Sequence, residues 1–317
     1  MKILANDGIS TLGKELLEKA GFEVITEKVA QENLADAVNQ QEIDMILVRS
    51  ATTVRKEVID ACPRIKLIGR GGVGLDNIDV SYAREKGITV INTPASSSQS
   101  VAELVMGHLF SMSRFLNDSY KNMSTGDFST LKKNYAKGIE LRGKTIGIVG
   151  FGRIGQSLAS YAYGVGMNVI AIDQNEYIAE IPVNVGNQTI TISCKTRTNL
   201  SDELHHMDFI SLHVPKQSDG SAVIAAKEFD KMKKGSILVN AARGGVINED
   251  DLLTALENGK IAGCALDVFE NEPNPRKDLL NHPKIACTPH IGAATVEAQD
   301  RIGEELASLI IKEFGTK

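Results

Sequence analysis

The chain has 317 residues, of which 42% are hydrophobic and 24% charged, and its formal net charge is −5. These values are typical of a globular protein long enough for two domains. The acidic balance argues against nucleic acid or an anionic membrane as the main partner, and no apolar run approaches the length of a membrane span.

Short apolar segments alternate with amphipathic ones through most of the chain, which is the pattern of parallel sheets with crossover helices. The first part predicts a helix over residues 12–20 and strands over 2–5, 22–26, 44–48, 66–68 and 89–91. We expect this α/β unit, residues 1–95, to end at the polar run 95–100. Its glycine loop, residues 71–74, lacks dinucleotide-binding spacing and is typical of a backbone-amide nest for a small anion, with a plain turn as the alternative.

The second part predicts a dinucleotide-binding unit over residues 96–293. Residues 101–116 are apolar on nearly every side, which predicts a buried helix at a domain or subunit interface. Further strands are expected at 208–213, 236–240, 263–266 and 284–287, and a last helix at 295–314. That helix lies beyond the second unit. If it packs on the first, residues 294–317 make the first domain discontinuous.

The most specific motif is Gly150-x-Gly152-x-x-Gly155, which lies between a predicted strand (145–149) and a predicted helix (153–164). Gly150 permits a tight turn, Gly152 a close approach to a pyrophosphate, and Gly155 close packing of helix and strand. A second strand (167–172) ends at Asp173, whose carboxylate suits the ribose hydroxyls of adenosine and repels a 2′-phosphate. The sequence therefore predicts NAD, in preference to NADP.

Three later strands are followed by groups that a strand does not need, namely Arg243, the acids Glu270 and Glu272, and His290. Strand ends of an open α/β sheet converge on one crevice. A histidine exchanges protons near neutral pH, a carboxylate orients it, and an arginine grips a substrate carboxylate. Spacing alone leaves Glu270 and Glu272 as alternatives. The remaining histidines are expected to be structural: His108, His205, His206, His213 and His282.

The sequence contains neither an HExxH motif nor a Cys/His cluster, and so predicts no metal site. The first residues lack the apolar stretch of a signal peptide. The four cysteines are far apart and form no CxxC pair, so we expect free thiols in a reducing compartment, the cytoplasm.

The chain resembles the D-isomer-specific 2-hydroxyacid dehydrogenases, and among them most closely the phosphoglycerate dehydrogenases. The resemblance runs almost end to end, through the segments 48–52, 69–79, 92–94, 150–155, 240–245, 265–269 and 289–293. It implies an α/β fold of two Rossmann-like, doubly wound parallel-sheet domains. It also implies a homodimer built largely through the cofactor domain.

The resemblance assigns catalysis to Arg243, Glu272 and His290, with Glu272 the last acid before Pro273. Cofactor contacts are expected from Val73, Gly150, Gly152, Arg153, Ile154, Gly155, Asp173, Val214, Ala241, Ala242, Arg243, Asp267, His290, Gly292 and Ala293. Substrate contacts are expected from Arg49, Ser50, Arg70, Val73, Gly74, Arg243 and His290. Lys132 and Lys133 could add charge to a neighbouring subunit's site.

The implied reaction is NAD-dependent oxidation of 3-phospho-D-glycerate to 3-phosphohydroxypyruvate, the first step of serine biosynthesis. The alternatives are a reductase of glyoxylate, hydroxypyruvate or another 2-keto acid, and an NAD(H)-sensing corepressor. Two departures stand out. Phe128 occupies a stretch where many relatives have tryptophan, and longer relatives carry regulatory domains after the last helix, so we expect a short form without serine feedback.

Overall fold

The computed structural model describes residues 1–315. The strands are β1 (Lys2–Ala5), β2 (Glu23–Ile25), β3 (Met45–Val48), β4 (Leu67–Arg70), β5 (Thr89–Asn92), β6 (Thr145–Val149), β7 (Asn168–Ile172), β8 (Ile178–Val185), β9 (Gln188–Arg197), β10 (Phe209–Leu212), β11 (Ser236–Asn240), β12 (Ile261–Leu266) and β13 (Ile285–Cys287). The helices are α1 (Thr11–Lys19), α2 (Leu34–Gln40), α3 (Lys56–Ala61), α4 (Val80–Glu85), α5 (Ser98–Arg114), α6 (Leu116–Asn122), α7 (Phe128–Tyr135), α8 (Arg153–Gly164), α9 (Leu200–Glu203), α10 (Ala226–Lys231), α11 (Glu249–Glu257), α12 (Lys277–Leu280) and α13 (Val296–Phe314).

The chain divides into two compact units. Unit 1 contains Met1–Ser98 and the segment from Ala293 onward, and unit 2 contains Gln99–Gly292. The first boundary falls inside the polar run 95–100, and the second lies one residue before the predicted return at 294. The predicted fold class of two doubly wound α/β domains, the first of them discontinuous, is confirmed.

The sheet of unit 1 has the order β2-β1-β3-β4-β5, and all of its strand pairs are parallel. Its central strands are short apolar runs buried on both faces, as helices on the two sides of a parallel sheet require. The strand order reverses between β1 and β3. The carboxyl ends of these strands, which lead to Asp7 and Arg49, therefore form the crevice where such sheets bind ligands.

Helix α13 completes unit 1 from the far end of the sequence. Its buried residues Ile302, Leu306 and Ile310 join the core formed by β1, β3 and α1. It crosses α1 at Gly13 and Gly303, where a Cβ on Gly13 would lie 2.6 Å from the Cα of Gly303. Only glycine permits this approach of the two backbones, so the glycine pair sets the helix crossing.

The eight-stranded sheet of unit 2 has the order β13-β12-β11-β10-β6-β7-β9-β8. Taking β6, β7 and β9 as the first three strands gives the 3-2-1-4-5-6 order of a dinucleotide-binding fold. The strand order reverses between β6 and β10, which are parallel neighbours. Gly150 follows β6 and His213 follows β10, so both lie at this switch point.

Strands β8 and β9 were not predicted, although their sequence carries the signal for them. Ala179, Ile181 and Val183 are buried and alternate with exposed residues, and the two-residue turn 186–187 joins the strands as an antiparallel hairpin. The hairpin packs on α8 where a helix usually connects two parallel strands. Pro182 lacks an N–H and its carbonyl accepts from Ser160 Oγ, which protects the exposed edge of β8 from further pairing.

Helix α5 is less buried than the sequence predicted. Val105 and Leu109 lie in the core, but Phe110 is 44% exposed. The following segment is also apolar and open, with Leu116 53% and Phe128 66% exposed.

In the part of the chain that the structure describes, no helix is long and apolar enough to span a membrane.

Candidate active site

The glycine motif forms a tight cradle at the end of β6. Gly150 has a φ of +91°, and a side chain there would collide with the carbonyl oxygen of His213. A Cβ on Gly155 would collide with the carbonyl oxygen of Gly150. Gly152, the N-cap of α8, faces open space and supplies no capping side chain, so the amide end of the helix can receive an anion.

Asp173 lies directly after β7, beside this cradle. Its Oδ2 accepts a hydrogen bond from the Phe151 amide at 2.8 Å, and its Oδ1 accepts from the Gln174 amide at 2.7 Å. The carboxylate is thus fixed next to the glycine turn, where adenosine ribose hydroxyls are bound in this fold. The cradle, the uncapped helix end and the fixed carboxylate together fit a dinucleotide.

Arg243 lies in a turn that its own strand holds in place. The side chain of Asn240, the last residue of β11, accepts from the Ala242 amide at 3.0 Å and donates to the Arg243 carbonyl at 2.9 Å. A side chain on Gly244 would overlap the carbonyl of Phe269, so this turn packs against the loop after β12. Residues 241–243 and 269–272 are therefore held together.

His290 and Glu272 form a hydrogen-bonded pair, with His290 Nδ1 2.7 Å from Glu272 Oε2. Each side chain is 34% exposed, so the pair is accessible to a small molecule. The other carboxylate oxygen of Glu272 accepts from the Phe269 amide at 3.0 Å. By contrast, the Glu270 amide is held at 3.0 Å by the buried Glu249, and Glu272 is the acid that contacts the histidine.

The pKa of Glu272 reflects this pairing. Partial burial raises the pKa, but the hydrogen bonds from His290 and Phe269, with the charges of His290 and Arg243, outweigh burial and lower it. Glu272 therefore stays ionised at neutral pH. An ionised Glu272 accepts a hydrogen bond from the Nδ1–H group of His290. The other ring nitrogen, Nε2, is then the one that can accept a proton.

Asp267 holds the loop that carries His290. The side chain is 1% exposed, and its oxygens accept from the Thr288 hydroxyl at 2.7 Å and from the amides of Ile291 and Gly292 at 2.8 Å each. His290 itself has a φ of 55°, an unusual conformation for a residue with a side chain. The loop therefore has a defined, internally bonded shape.

The remaining predicted cofactor residues are divided between the units. Arg153 and Ile154 form the first turn of α8, and Val214 is half-buried just beyond β10. Ala241 and Ala242 precede Arg243 in the same turn and are also half-buried. Val73 and Ala293 belong to unit 1, whereas all the others lie in unit 2.

The predicted substrate residues of unit 1 surround the glycine loop 71–74. Arg49 Cγ would lie 3.7 Å from a Cβ on Gly71, and the Arg70 guanidinium occupies the space that a Gly72 side chain would need. Among the hydrogen bonds within residues 1–315, none has the amide of Val73 or Gly74 as its donor. Two cationic side chains therefore lie beside the loop, together with the amides of Val73 and Gly74.

Sequence reasoning missed the residue that fixes the Arg49 loop. Asp7 accepts from the Arg49 amide at 2.7 Å, and from the Thr52 amide and hydroxyl at 3.0 and 2.7 Å. An acid two residues after the first strand, at the point where the strand order of the sheet reverses, would have been the signal. Ser50, at the tip of this loop, is exposed.

The chain is similar to known proteins over nearly its whole length. Residues 106–292 match the family described as D-isomer specific 2-hydroxyacid dehydrogenase, NAD binding domain. A hydroxypyruvate reductase of Thermotoga maritima is 40% identical, covering 99% of this chain and 98% of that protein. A D-3-phosphoglycerate dehydrogenase of Methanocaldococcus jannaschii is 39% identical over 98% of this chain, which spans only 57% of that protein's length.

A solved structure extends the comparison to the cofactor. The NAD-dependent formate dehydrogenase of Staphylococcus aureus, in complex with NAD, has a TM-score of 0.78 at 27% identity, covering 99% of this chain and 96% of that one. The cofactor of the present chain is NAD, as its motif and Asp173 predicted. The chain belongs to the D-isomer-specific 2-hydroxyacid dehydrogenase family and is an NAD-dependent enzyme of that family.

Proposed function

We propose that the enzyme oxidises 3-phospho-D-glycerate to 3-phosphohydroxypyruvate, the first step of serine biosynthesis. The observation that carries this proposal is that Arg49 and Arg70 both lie beside the glycine loop 71–74 of unit 1. A substrate phosphate brings about 1.5 to 2 further negative charges at neutral pH. An uncharged substituent at C3 of the substrate would not need two arginines to bind it, whereas a phosphate would use the positive charge of both.

The environment of Arg49 favours an anionic ligand. Burial lowers the pKa of its guanidinium, and the nearby Asp7 carboxylate opposes that shift only in part. Both carboxylate oxygens of Asp7 are already occupied by the Arg49 and Thr52 amides and the Thr52 hydroxyl. A substrate phosphate would supply charge-assisted hydrogen bonds to this half-buried cation.

In the proposed mechanism, Arg243 binds the substrate carboxylate and His290 accepts the proton of the C2 hydroxyl at Nε2. Glu272 keeps Nδ1 protonated and stabilises the imidazolium that forms. NAD⁺, which the glycine cradle and Asp173 would hold, would supply the hydride acceptor for C2. Microscopic reversibility gives His290 the role of proton donor in the reduction of a 2-keto acid.

The relative from Thermotoga maritima supports a second candidate, reduction of hydroxypyruvate or glyoxylate, because it matches this chain over nearly its whole length. A steady-state comparison of 3-phosphoglycerate, D-glycerate, D-lactate and glyoxylate with NAD(H) separates the two. We expect the highest kcat/KM for 3-phosphoglycerate. A higher kcat/KM for glyoxylate or D-glycerate would favour the second candidate.

Cofactor preference gives a direct prediction about Asp173. Replacing it with alanine should raise the KM for NAD roughly 10-fold, because a charge-assisted ribose contact contributes about 1.5–3 kcal/mol. The same change should narrow the difference in kcat/KM between NAD and NADP, since it removes a charge that repels the 2′-phosphate. Glu176→Ala, three residues further on and paired with Lys195, is the control. Equal kcat/KM for NAD and NADP in the unmodified enzyme would contradict this role.

We also propose that the enzyme is a cytoplasmic homodimer that assembles through α5, α6 and α7. Phe110, Leu116 and Phe128 expose apolar surface there, beside a cavity of about 690 Å³. Exposed apolar surface of this kind is typical of an interface. The four free cysteines favour a reducing compartment.

Light scattering at micromolar concentration tests the dimer. The unmodified enzyme should have twice the mass of its chain, and Leu116→Asp should reduce the mass to that of one chain. Leu12→Asp places the same charge on an exposed leucine of unit 1 and should leave the dimer intact. A monomeric unmodified enzyme would refute the assignment.

A further inference from the structure

A second histidine, His108 of α5, belongs to a network of hydrogen-bonded polar groups that ends at the His290 loop. It is only 6% exposed, and its Nε2 lies 3.2 Å from the hydroxyl of Thr288. Thr288 in turn donates to Asp267 at 2.7 Å, and Asp267 accepts from the amides that follow His290. All of these residues belong to unit 2, and the hydrogen bonds that join them do not involve the side chain of His290.

The direction of each hydrogen bond in this network follows from the number of protons that Thr288 and His108 carry. Thr288 has one hydroxyl proton, and Asp267 receives it. The hydroxyl can therefore only accept from His108, which requires the proton of that histidine on Nε2. Burial lowers the pKa of His108, with the Asp267 charge opposing that shift, so the ring is neutral and holds a single proton.

The backbone of His290 needs this support. Its φ of 55° is a conformation that residues with side chains seldom adopt and that persists only where surrounding contacts fix it. Two sets of hydrogen bonds fix it. The amides of Ile291 and Gly292 donate to Asp267 on one side, and the His290 amide donates to the Thr288 carbonyl at 3.1 Å on the other. Thr288 takes part in both, through its hydroxyl and through its carbonyl.

We propose that His108 and Thr288 are positioning residues, which hold Asp267 so that the His290 loop keeps its shape while His290 exchanges the substrate proton. The proposal rests on the proposed role of His290. It assigns a function to a buried histidine that the sequence alone suggested to be structural. His108 acts only through Thr288, and Thr288 only through Asp267.

Four variants test this hydrogen-bond network in steady-state kinetics with the holoenzyme, in which NAD and the substrate are each varied. Thr288→Val removes the hydroxyl at nearly constant volume and should lower kcat about 10-fold or more, since small displacements of a catalytic group are costly. KM for NAD should change less than about twofold. Thr288→Ser restores a hydroxyl and should recover most of the loss. His108→Leu should lower kcat, and His108→Gln, which places an N–H near the same point, should recover most of that loss.

A double-mutant cycle shows whether His108 acts through Thr288. The kcat of His108→Leu/Thr288→Val should equal that of Thr288→Val alone, because residues in one network are not additive. If the two single losses of kcat multiply in the double variant, the proposal is wrong. It is also wrong if Thr288→Val has a kcat within twofold of the unmodified enzyme, or if Thr288→Ser loses as much kcat as Thr288→Val. His206→Leu, on an exposed histidine, is the matched control. An inactive His290→Ala beside an unaffected Thr288→Val refutes only this inference, whereas an active His290→Ala refutes the proposed mechanism itself.

Discussion

Replacing His290 with alanine should lower kcat roughly 10²- to 10⁴-fold, the usual contribution of a positioned general base. The side chain that accepts the substrate proton would be gone, while the glycine cradle and Asp173 would remain. The dissociation constant for NAD should therefore change much less than kcat. Stopped-flow measurement of NADH formation and a separate NAD titration check the two parts of this expectation.

Two further variants isolate the role of the histidine. His205→Ala removes an exposed histidine elsewhere in unit 2 and should leave kcat unchanged. Glu272→Gln keeps the size of the acid but removes the charge that stabilises the imidazolium, so it should give a smaller loss than His290→Ala. Near-normal turnover of His290→Ala would show that another group accepts the proton.

Replacing Arg49 or Arg70 with alanine should raise the KM for 3-phosphoglycerate roughly 10- to 100-fold. Each charge-assisted contact with a phosphate contributes on the order of 1.5–3 kcal/mol, and about 1.4 kcal/mol corresponds to a factor of ten. The KM for D-glycerate should change little, because that substrate lacks the phosphate. The ratio of the two KM values is the measurement that matters.

Arg84→Ala is the matched control, because this arginine is exposed on α4 of the same unit. It should leave both KM values unchanged. If Arg49→Ala and Arg70→Ala impair D-glycerate and 3-phosphoglycerate equally, the arginines do not bind a phosphate. The enzyme would then act on an unphosphorylated 2-hydroxy acid.

Most of the fold could be predicted because the parallel strands are continuous apolar runs bounded by glycine and polar residues. β6 and β11 have the predicted bounds, as does α8. The hairpin of β8 and β9 was not predicted, although its sequence has a clear alternation of buried and exposed residues. Phe110 was misjudged because an apolar sequence does not reveal which of its faces has a partner.

The candidate site could be predicted less completely. Sequence motifs indicate Arg243 and His290, but spacing cannot choose between Glu270 and Glu272, since the choice depends on how the loop after β12 folds. The structure pairs Glu272 with His290 and directs the Glu270 amide to Glu249. The contacts of His108 and Asp7 join segments far apart in the chain, and no local pattern encodes such contacts.

The packing of α13 against α1 also affects how the protein is made. A ribosome releases residues 1–98 first, but Ile3, Ala5 and Leu47 cannot be fully covered until Leu306 and Ile310 have emerged. Unit 2, an uninterrupted stretch of sequence, can complete its core earlier. The unit that is translated first is therefore the last to finish folding, and its nascent chain carries an exposed apolar face through most of synthesis.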